Sequence, residues 1–253
     1  MLSGARVSFL GHSTVVIEDS GVRLLTDPVL RGRVGHLRRH GAAVIGAAWS
    51  GVDGVLISHL HHDHFDRRSL ELLDRSTPIV VPAGGGKLVR ELGFGAVDEV
   101  VAGDRVSFGA VSVLVVHAEH EGGRGPRSAH YAQPVGYVVE GQRRSYFAGD
   151  TDIFDSMTSI GEPPIDLALI PVWGWGSTLG PGHLDPRSAA DALALIGPRI
   201  AVPIHWGTLY PFGLQRLRPR ALSDPPQLFR RYASELLPQC DVRILQPGEA
   251  TEL

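Results

Sequence analysis

Apolar positions along the chain fall in short alternating or continuous runs, with few long helical stripes. Val7-Ser8-Phe9-Leu10, Thr14-Val15-Val16-Ile17-Glu18 and Val22-Arg23-Leu24-Leu25-Thr26 are rich in β-branched and apolar residues, and Gly11 and Asp19-Ser20-Gly21 mark turns between them. This pattern predicts three successive strands. Asp27-Pro28 ends the third, because proline removes a donor and restricts the residue before it. Residues 29–50, where arginines interleave with Gly and His, read as a long connection with room for one short helix. Gly54 to Ser58 reads as a buried strand, followed by a histidine-rich turn and by Asp66 as the cap of a helix carrying Leu70, Leu72 and Leu73. Strands are predicted at Pro78–Val81, in pieces from Val100 to Val116, and in a hairpin of Val135–Val139 with Arg144–Ala148. A short helix is expected from Gly86 to Leu92.

The second half repeats the strand-then-helix order. Asp166–Ile170 and Ile200–Ile204 read as strands. Between them Asp185-Pro186 supplies a cap and a first-turn proline for a helix with Ala189, Ala190, Leu193 and Ile196 on one face and Gly197 at its stop. Asp224-Pro225 opens a last helix with Leu228, Phe229, Tyr232 and Leu236 at helical spacing, and Val242–Leu245 closes the chain as a strand. No low-complexity linker or 20–50-residue repeat divides the sequence, so residues 1–253 are expected to form a single α/β domain of two sheets packed face to face with helices outside.

Composition narrows the class. Hydrophobic content of 43% with 20% charged residues is that of a globular chain, and no apolar run is long enough to span a bilayer. The start, MLSGARVSFLGHS, does not have the form of a signal peptide, and one cysteine, Cys240, excludes a disulfide framework or a thiolate cluster. A cytoplasmic protein is expected. Lys+Arg 24 against Asp+Glu 27 gives a net charge of −3, which argues against a dedicated nucleic-acid binder.

Histidine is the residue that carries chemistry. His59-Leu60-His61-His62-Asp63-His64 places four potential ligands where a buried strand ends. In extended chain His59 and His61 point the same way and can hold one metal, while Asp63 and His64 fall in the turn and can reach a second; His62 points away. Imidazole and carboxylate without thiolate suit zinc, manganese or iron. Further ligands are expected at other strand ends, where His120, Asp150 and His205 lie. Asp150 can bridge, since one carboxylate has two oxygens. The expected sets are His59, His61, His120 and Asp150 on one ion, and Asp63, His64, Asp150 and His205 on the other. Two divalent cations, Zn2+ first and Mn2+ or Fe2+ as alternatives, lower the pKa of a bridging water enough to supply hydroxide near neutral pH. Asp63 also orients that water or accepts its proton.

The HxHxDH run, the later histidine, the Gly149-Asp150-Thr151 turn and the last histidine resemble the metallo-β-lactamase superfamily, which implies a four-layer αββα sandwich. Gly11-His12-Ser13-Thr14, Thr26-Asp27-Pro28, His183-Leu184-Asp185-Pro186 and Pro203-Ile204-His205-Trp206-Gly207-Thr208 resemble the branch containing N-acyl-phosphatidylethanolamine phospholipase D and L-ascorbate-6-phosphate lactonase. With Asp150 at the bridging position and Cys240 far along the chain, antibiotic hydrolysis is not the expected activity. The resemblance implies hydrolysis of a phosphodiester or related ester in a small soluble substrate, with a lactone or carboxylic ester as the alternative, and a nuclease or a non-catalytic metal-binding module behind both. On the same ground His183 is assigned as a catalytic donor to the substrate oxyanion or leaving group. His12 and Asp27 are read as supports for the ligands, and His117 and His130 as bystanders. Trp173, Trp175 and Trp206 either wall the substrate pocket or pack the Gly-rich loop. Arg31 to Arg39 read as a solvated face, with a phosphate clamp as the alternative. Whether the protein forms a homo-oligomer is left open.

Overall fold

The computed structural model describes residues 4–125, 128–174 and 180–253. Alternation of side chains decides the layers. Val15 and Ile17 join one apolar cluster and Val16 joins another; Leu24 and Leu25, and likewise Leu56 and its neighbours Val55 and Ile57, divide in the same way. A strand buried on both faces must lie between two packed layers. The N-terminal strands β1 (Arg6–Gly11), β2 (Thr14–Asp19) and β3 (Val22–Thr26) form as the turn signals predict. The segment expected to be a long connection with room for one short helix contains a single 3-10 turn at Gly46–Ala48 and, unexpectedly, two very short strands, β4 (Arg33–Val34) and β5 (Leu37–Arg39). Next come β6 (Gly54–Leu56), α1 (Arg67–Leu70), β7 (Ile79–Pro82), α2 (Gly86–Arg90) and β8 (Val97–Val100). Asp66 caps α1 as expected, accepting from the Ser69 N–H, but the helix ends at Leu70 and Leu72 is exposed.

The second half supplies β9 (Arg105–Phe108), β10 (Val111–His117), β11 (Val135–Glu140), β12 (Arg144–Phe147), β13 (Leu167–Pro171), α3 (Pro186–Ile196), β14 (Ile200–Ile204), β15 (Leu209–Pro211), α4 (Asp224–Leu236), β16 (Asp241–Val242) and β17 (Ala250–Glu252). Two sheets result, ordered β17-β1-β2-β3-β6-β7-β8 and β16-β14-β13-β12-β11-β10-β9, with β15-β5-β4 as a small third. Each large sheet runs from an antiparallel half (β17 to β3; β9 to β12) to a parallel half (β3 to β8; β12 to β16). The halves of the chain thus repeat one plan at a scale far above a short sequence repeat. The fold is a mixed α/β sandwich of two large sheets, in keeping with the resemblance noted in the sequence.

Helix α3 begins with the expected capping box, Asp185 accepting from the Ser188 N–H and the Ser188 hydroxyl reaching the Asp185 N–H. Gly197 closes it in the left-handed conformation, at φ 66°. On α4, Phe229 and Ala233 are buried while Leu228 and Leu236 stay about one third exposed, so the apolar stripe read from spacing is narrower in the fold. The strand expected at Val242–Leu245 pairs only at Asp241–Val242.

Candidate metal centre

In open α/β sheets the space beyond the carboxyl ends of parallel strands is where ligands bind. Both parallel halves end here on one cluster: β3 runs into Asp27, β6 into Ser58 and His59, β12 into Asp150, β13 into Trp173 and β14 into His205. The backbone is strained at these exits. His12, Asp27 and His205 have φ of 59°, 32° and 61°, in the left-handed region that non-glycine residues rarely enter and that concentrates at functional sites. The His205 N–H donates to the His12 carbonyl at 2.8 Å and the His12 N–H to Thr208 Oγ1 at 2.9 Å, which locks the two turns to each other.

Two groups of donors converge. His61 Nδ1 lies 3.1 Å from His59 Nε2 and 3.0 Å from His120 Nε2. His64 Nε2 lies 3.1 Å from His205 Nε2, and Asp150 Oδ2 lies 3.3 and 3.2 Å from these two atoms. Asp63 Oδ2 is 4.0 Å from His205 Nε2. Asp150 therefore belongs to the second group directly, and together with His120 and His183 it also forms a further ligand-capable set that links it to the first.

The far nitrogens settle which atoms face inward. His120 Nδ1–H donates to the Gly182 carbonyl at 2.6 Å, His205 Nδ1–H to the Trp173 carbonyl at 2.5 Å, and His64 Nδ1–H to Asp27 Oδ2 at 2.7 Å. His59 Nδ1 is 2.9 Å from Ser58 Oγ, whose hydroxyl donates to Asp27 Oδ2 at 2.5 Å. With Nδ1 bonded outward on His59, His64, His120 and His205, their Nε2 atoms face inward and His61 presents its Nδ1, an arrangement that repels unless a cation or proton lies between. Asp150 Oδ1 is buried with no hydrogen-bond partner among the described residues. The residues fit a metal centre.

Titration follows from the same crowding. Burial, with His205 and His64 beside it, pushes His12 down to about 3, and burial takes His120 to about 4 against the pull of Asp150. Burial also holds His59 well below its ordinary value. For His64, burial lowers the pKa but Asp150 and Asp27 outweigh it, so the imidazole lies well above its ordinary value, and Asp150 raises His205 in the same way. Burial works to raise Asp63 and Asp150, and the surrounding histidines overcome it, holding both carboxylates well below the usual range.

Every residue singled out as a ligand in the sequence falls in these groups. His12 and Asp27 are also in them: His12 Nε2 meets Asp63 Oδ2 at 3.1 Å, and Asp27 orients His64 and Ser58. His183 borders the centre, its Nε2 3.8 Å from Asp150 Oδ2. His62 is exposed and turned to Arg124, 3.3 Å away; His117 pairs with Glu119 at 3.2 Å. Trp206 is no pocket wall: it is buried, stacks with Phe9 and donates to the Pro203 carbonyl. Trp173 packs near Tyr210, and Trp175 lies outside the described residues. Arg31 and Arg39 are not placed as a phosphate clamp. Arg31 grips Asp66 at 2.6 and 3.0 Å, and Arg39 donates to the Leu10 and Val29 carbonyls.

Arg124 is a structural residue that escaped the sequence reading. Nearly buried, it donates to the Leu60 carbonyl at 2.9 Å and the Phe65 carbonyl at 3.3 Å and covers the Phe65 ring. It clips the His120 loop to the histidine-rich turn. Apart from His62, its partners are backbone carbonyls, which leave no mark in a sequence.

A family model described as a beta-lactamase superfamily domain matches residues 22–206. A UPF0173 metal-dependent hydrolase of Deinococcus radiodurans is 34% identical over 252 residues, 98% of this chain and 99% of that protein. An N-acyl-phosphatidylethanolamine-hydrolyzing phospholipase D 1 of Caenorhabditis elegans is 31% identical over 235 residues, with 83% of this chain and 66% of that protein covered. Among solved structures, the metallo hydrolase Igni18 of Ignicoccus hospitalis shares the fold with a TM-score of 0.72 over 99% of each chain, at 21% identity.

Proposed function

The chain belongs to the metallo-β-lactamase superfamily of metal-dependent hydrolases, and from that membership we propose that it works with two divalent cations, Zn2+ in the first instance, to cleave a phosphodiester or related ester in a small substrate. The observation that carries this reading is Asp150, whose Oδ2 lies against the His64 and His205 imidazoles and whose other, buried oxygen has no partner among the described residues. His59, His61 and His120 would hold one ion, Asp63, His64 and His205 the other, and Asp150 would be shared. When bound, the ions would lower the pKa of a shared water and take up the negative charge that develops on the substrate oxygen. The chain does the rest. Asp63, fixed by His12, is placed to accept a proton from water, and Asp27 and Ser58 keep the His64 and His59 rings in the ligating orientation. His183, with Nδ1 3.3 Å from the Pro181 carbonyl and its ring partly exposed, turns Nε2 toward the centre and gives a proton to the departing oxygen. The phosphodiester is favoured over other esters by the Caenorhabditis relative, named as a phospholipase D that hydrolyzes N-acyl-phosphatidylethanolamine, itself a phosphodiester.

The test is hydrolysis of a bis-aryl phosphodiester and of a lactone panel by zinc- and manganese-loaded protein, with the metal content counted. Asp63→Ala is expected to lose one equivalent of metal and at least a hundredfold in diester turnover, on the order of a missing acid–base group. Lactone turnover without diester cleavage would replace the phosphodiester by a cyclic ester. Full turnover with one ion lost would end the two-ion mechanism.

A further inference from the structure

The sequence has no Asp or Glu between Asp27 and Asp53, nor between Asp191 and Asp224, although the chain as a whole carries a charge of −3. The fold joins these two stretches. Leu209, Tyr210 and Pro211 of β15 pair antiparallel with Arg39, Arg38 and Leu37 of β5, and the Arg38 guanidinium lies 5.4 Å over the Phe212 ring. Beyond Pro211 the chain loops outward and residues 216–220 are all exposed. It returns at Leu222, whose carbonyl stands 3.0 Å from where a Cβ on Gly207 would be. Both ends of the loop thus rest on the segment that leaves β14 with His205.

This loop presents two chemistries together. Phe212 is 73% and Leu217 79% exposed, full-sized apolar side chains in contact with water. Arg216, Arg218 and Arg220 stand among them, and among the described residues no carboxylate lies within ion-pair distance of any of the three. Water satisfies the guanidinium groups and leaves the apolar pair exposed. A nucleic-acid backbone would engage the arginines, but Leu217 has no ring face on which a base could stack. The boundary of an anionic bilayer accommodates both, with phosphates at the level of the arginines and acyl chains below them.

We propose that the loop carrying Phe212, Leu217, Arg216, Arg218 and Arg220 docks this protein reversibly on an anionic lipid surface. Docking places the rim next to His205 against that surface, and it holds whichever ester bond the centre cleaves. Neither signal anchors strongly alone, since stable attachment takes an apolar and an electrostatic element together.

Co-sedimentation of the full chain with vesicles decides the matter without any reference to turnover. Binding is expected to equimolar phosphatidylglycerol and phosphatidylcholine at low salt, to fall at high salt, and to be absent with phosphatidylcholine alone. R216Q/R218Q/R220Q is expected to weaken it about 100-fold, at roughly fivefold per arginine, and F212S/L217S to remove most of what remains in salt. Circular dichroism and metal content serve as controls that these exposed substitutions leave the fold intact. Equal sedimentation of wild type and both variants, or none of the wild type, overturns the proposal. So does tight oligonucleotide binding that depends on the arginines but not on Phe212 and Leu217.

Discussion

Protons and cations compete for the same atoms at the second group of donors. Ligation needs an unprotonated Nε2, and His64 and His205 are held above the ordinary imidazole value by Asp150, against burial, whereas His59 and His120 are pushed below it. As pH falls, the ion at His64 and His205 is therefore expected to leave first. A chromophoric chelator followed through a pH titration should report two steps, one equivalent released at higher pH than the other; a single step would show the groups to be equivalent. Cys240 gives a second prediction of the same kind. Burial, with Asp241 beside it, pushes the thiol up to about 12. Because the folded state keeps its proton longer than the unfolded thiol, at about 8.5, this group's contribution to stability is intact below that value and is lost as pH rises toward the folded one. A disulfide reagent at pH near 8 is expected to react slowly with native protein and quickly in urea. Among single residues, the sequence exposed the candidate ligands because a hydrophobic strand that ends on His59 or His205 has no structural need of them. It concealed Arg124 and the carbonyls of Gly182 and Trp173, since main-chain acceptors look alike at every position.

Elements position the centre through close approaches. Gly149, between β12 and Asp150, has φ 63°, and a Cβ there would lie 2.5 Å from the Ser58 Cβ. Gly149→Ala is expected to cost about 1–3 kcal/mol from overpacking and to weaken metal binding by displacing Ser58 from Asp27. Thermal unfolding and metal titration of this variant would measure both, and an unchanged affinity would separate Ser58 from the ligand set. Strands of four to seven residues with β-branched cores, and the capped α3, were legible because local pattern and burial agree there. Strands β4 and β5 were not, because two or three arginine-rich residues carry no periodicity, and their pairing with β15 is a long-range event. Ala250-Thr251-Glu252 is similarly short and polar, and only the partner edge of β1 makes it a strand.

Across the whole molecule, the donors come from both sheets: His59, His61, Asp63 and His64 follow β6 of the first, while His120, Asp150 and His205 follow β10, β12 and β14 of the second. Ions held between them as proposed would bind only the assembled sandwich, so their binding would add directly to folding free energy. At a free ion concentration of 100 times the dissociation constant each site is expected to contribute about 2.7 kcal/mol, which at this chain length raises the melting temperature by roughly 5–10 °C. Scanning calorimetry with and without chelator would show it, and His205→Ala should retain about half the shift. A melting point indifferent to chelator would mean the sandwich closes without help.

The pairing of β17 with β1 has a consequence for synthesis. Residues 250–252 complete the edge of a sheet whose other strands lie before residue 101. While the chain emerges from the ribosome, the outer edge of β1 stays open until residues 250–252 have been translated, long after β8. Throughout that interval Val7 and its neighbours offer unpaired amides to any extended segment nearby. The nascent protein is most exposed to mispairing at the sheet it builds first.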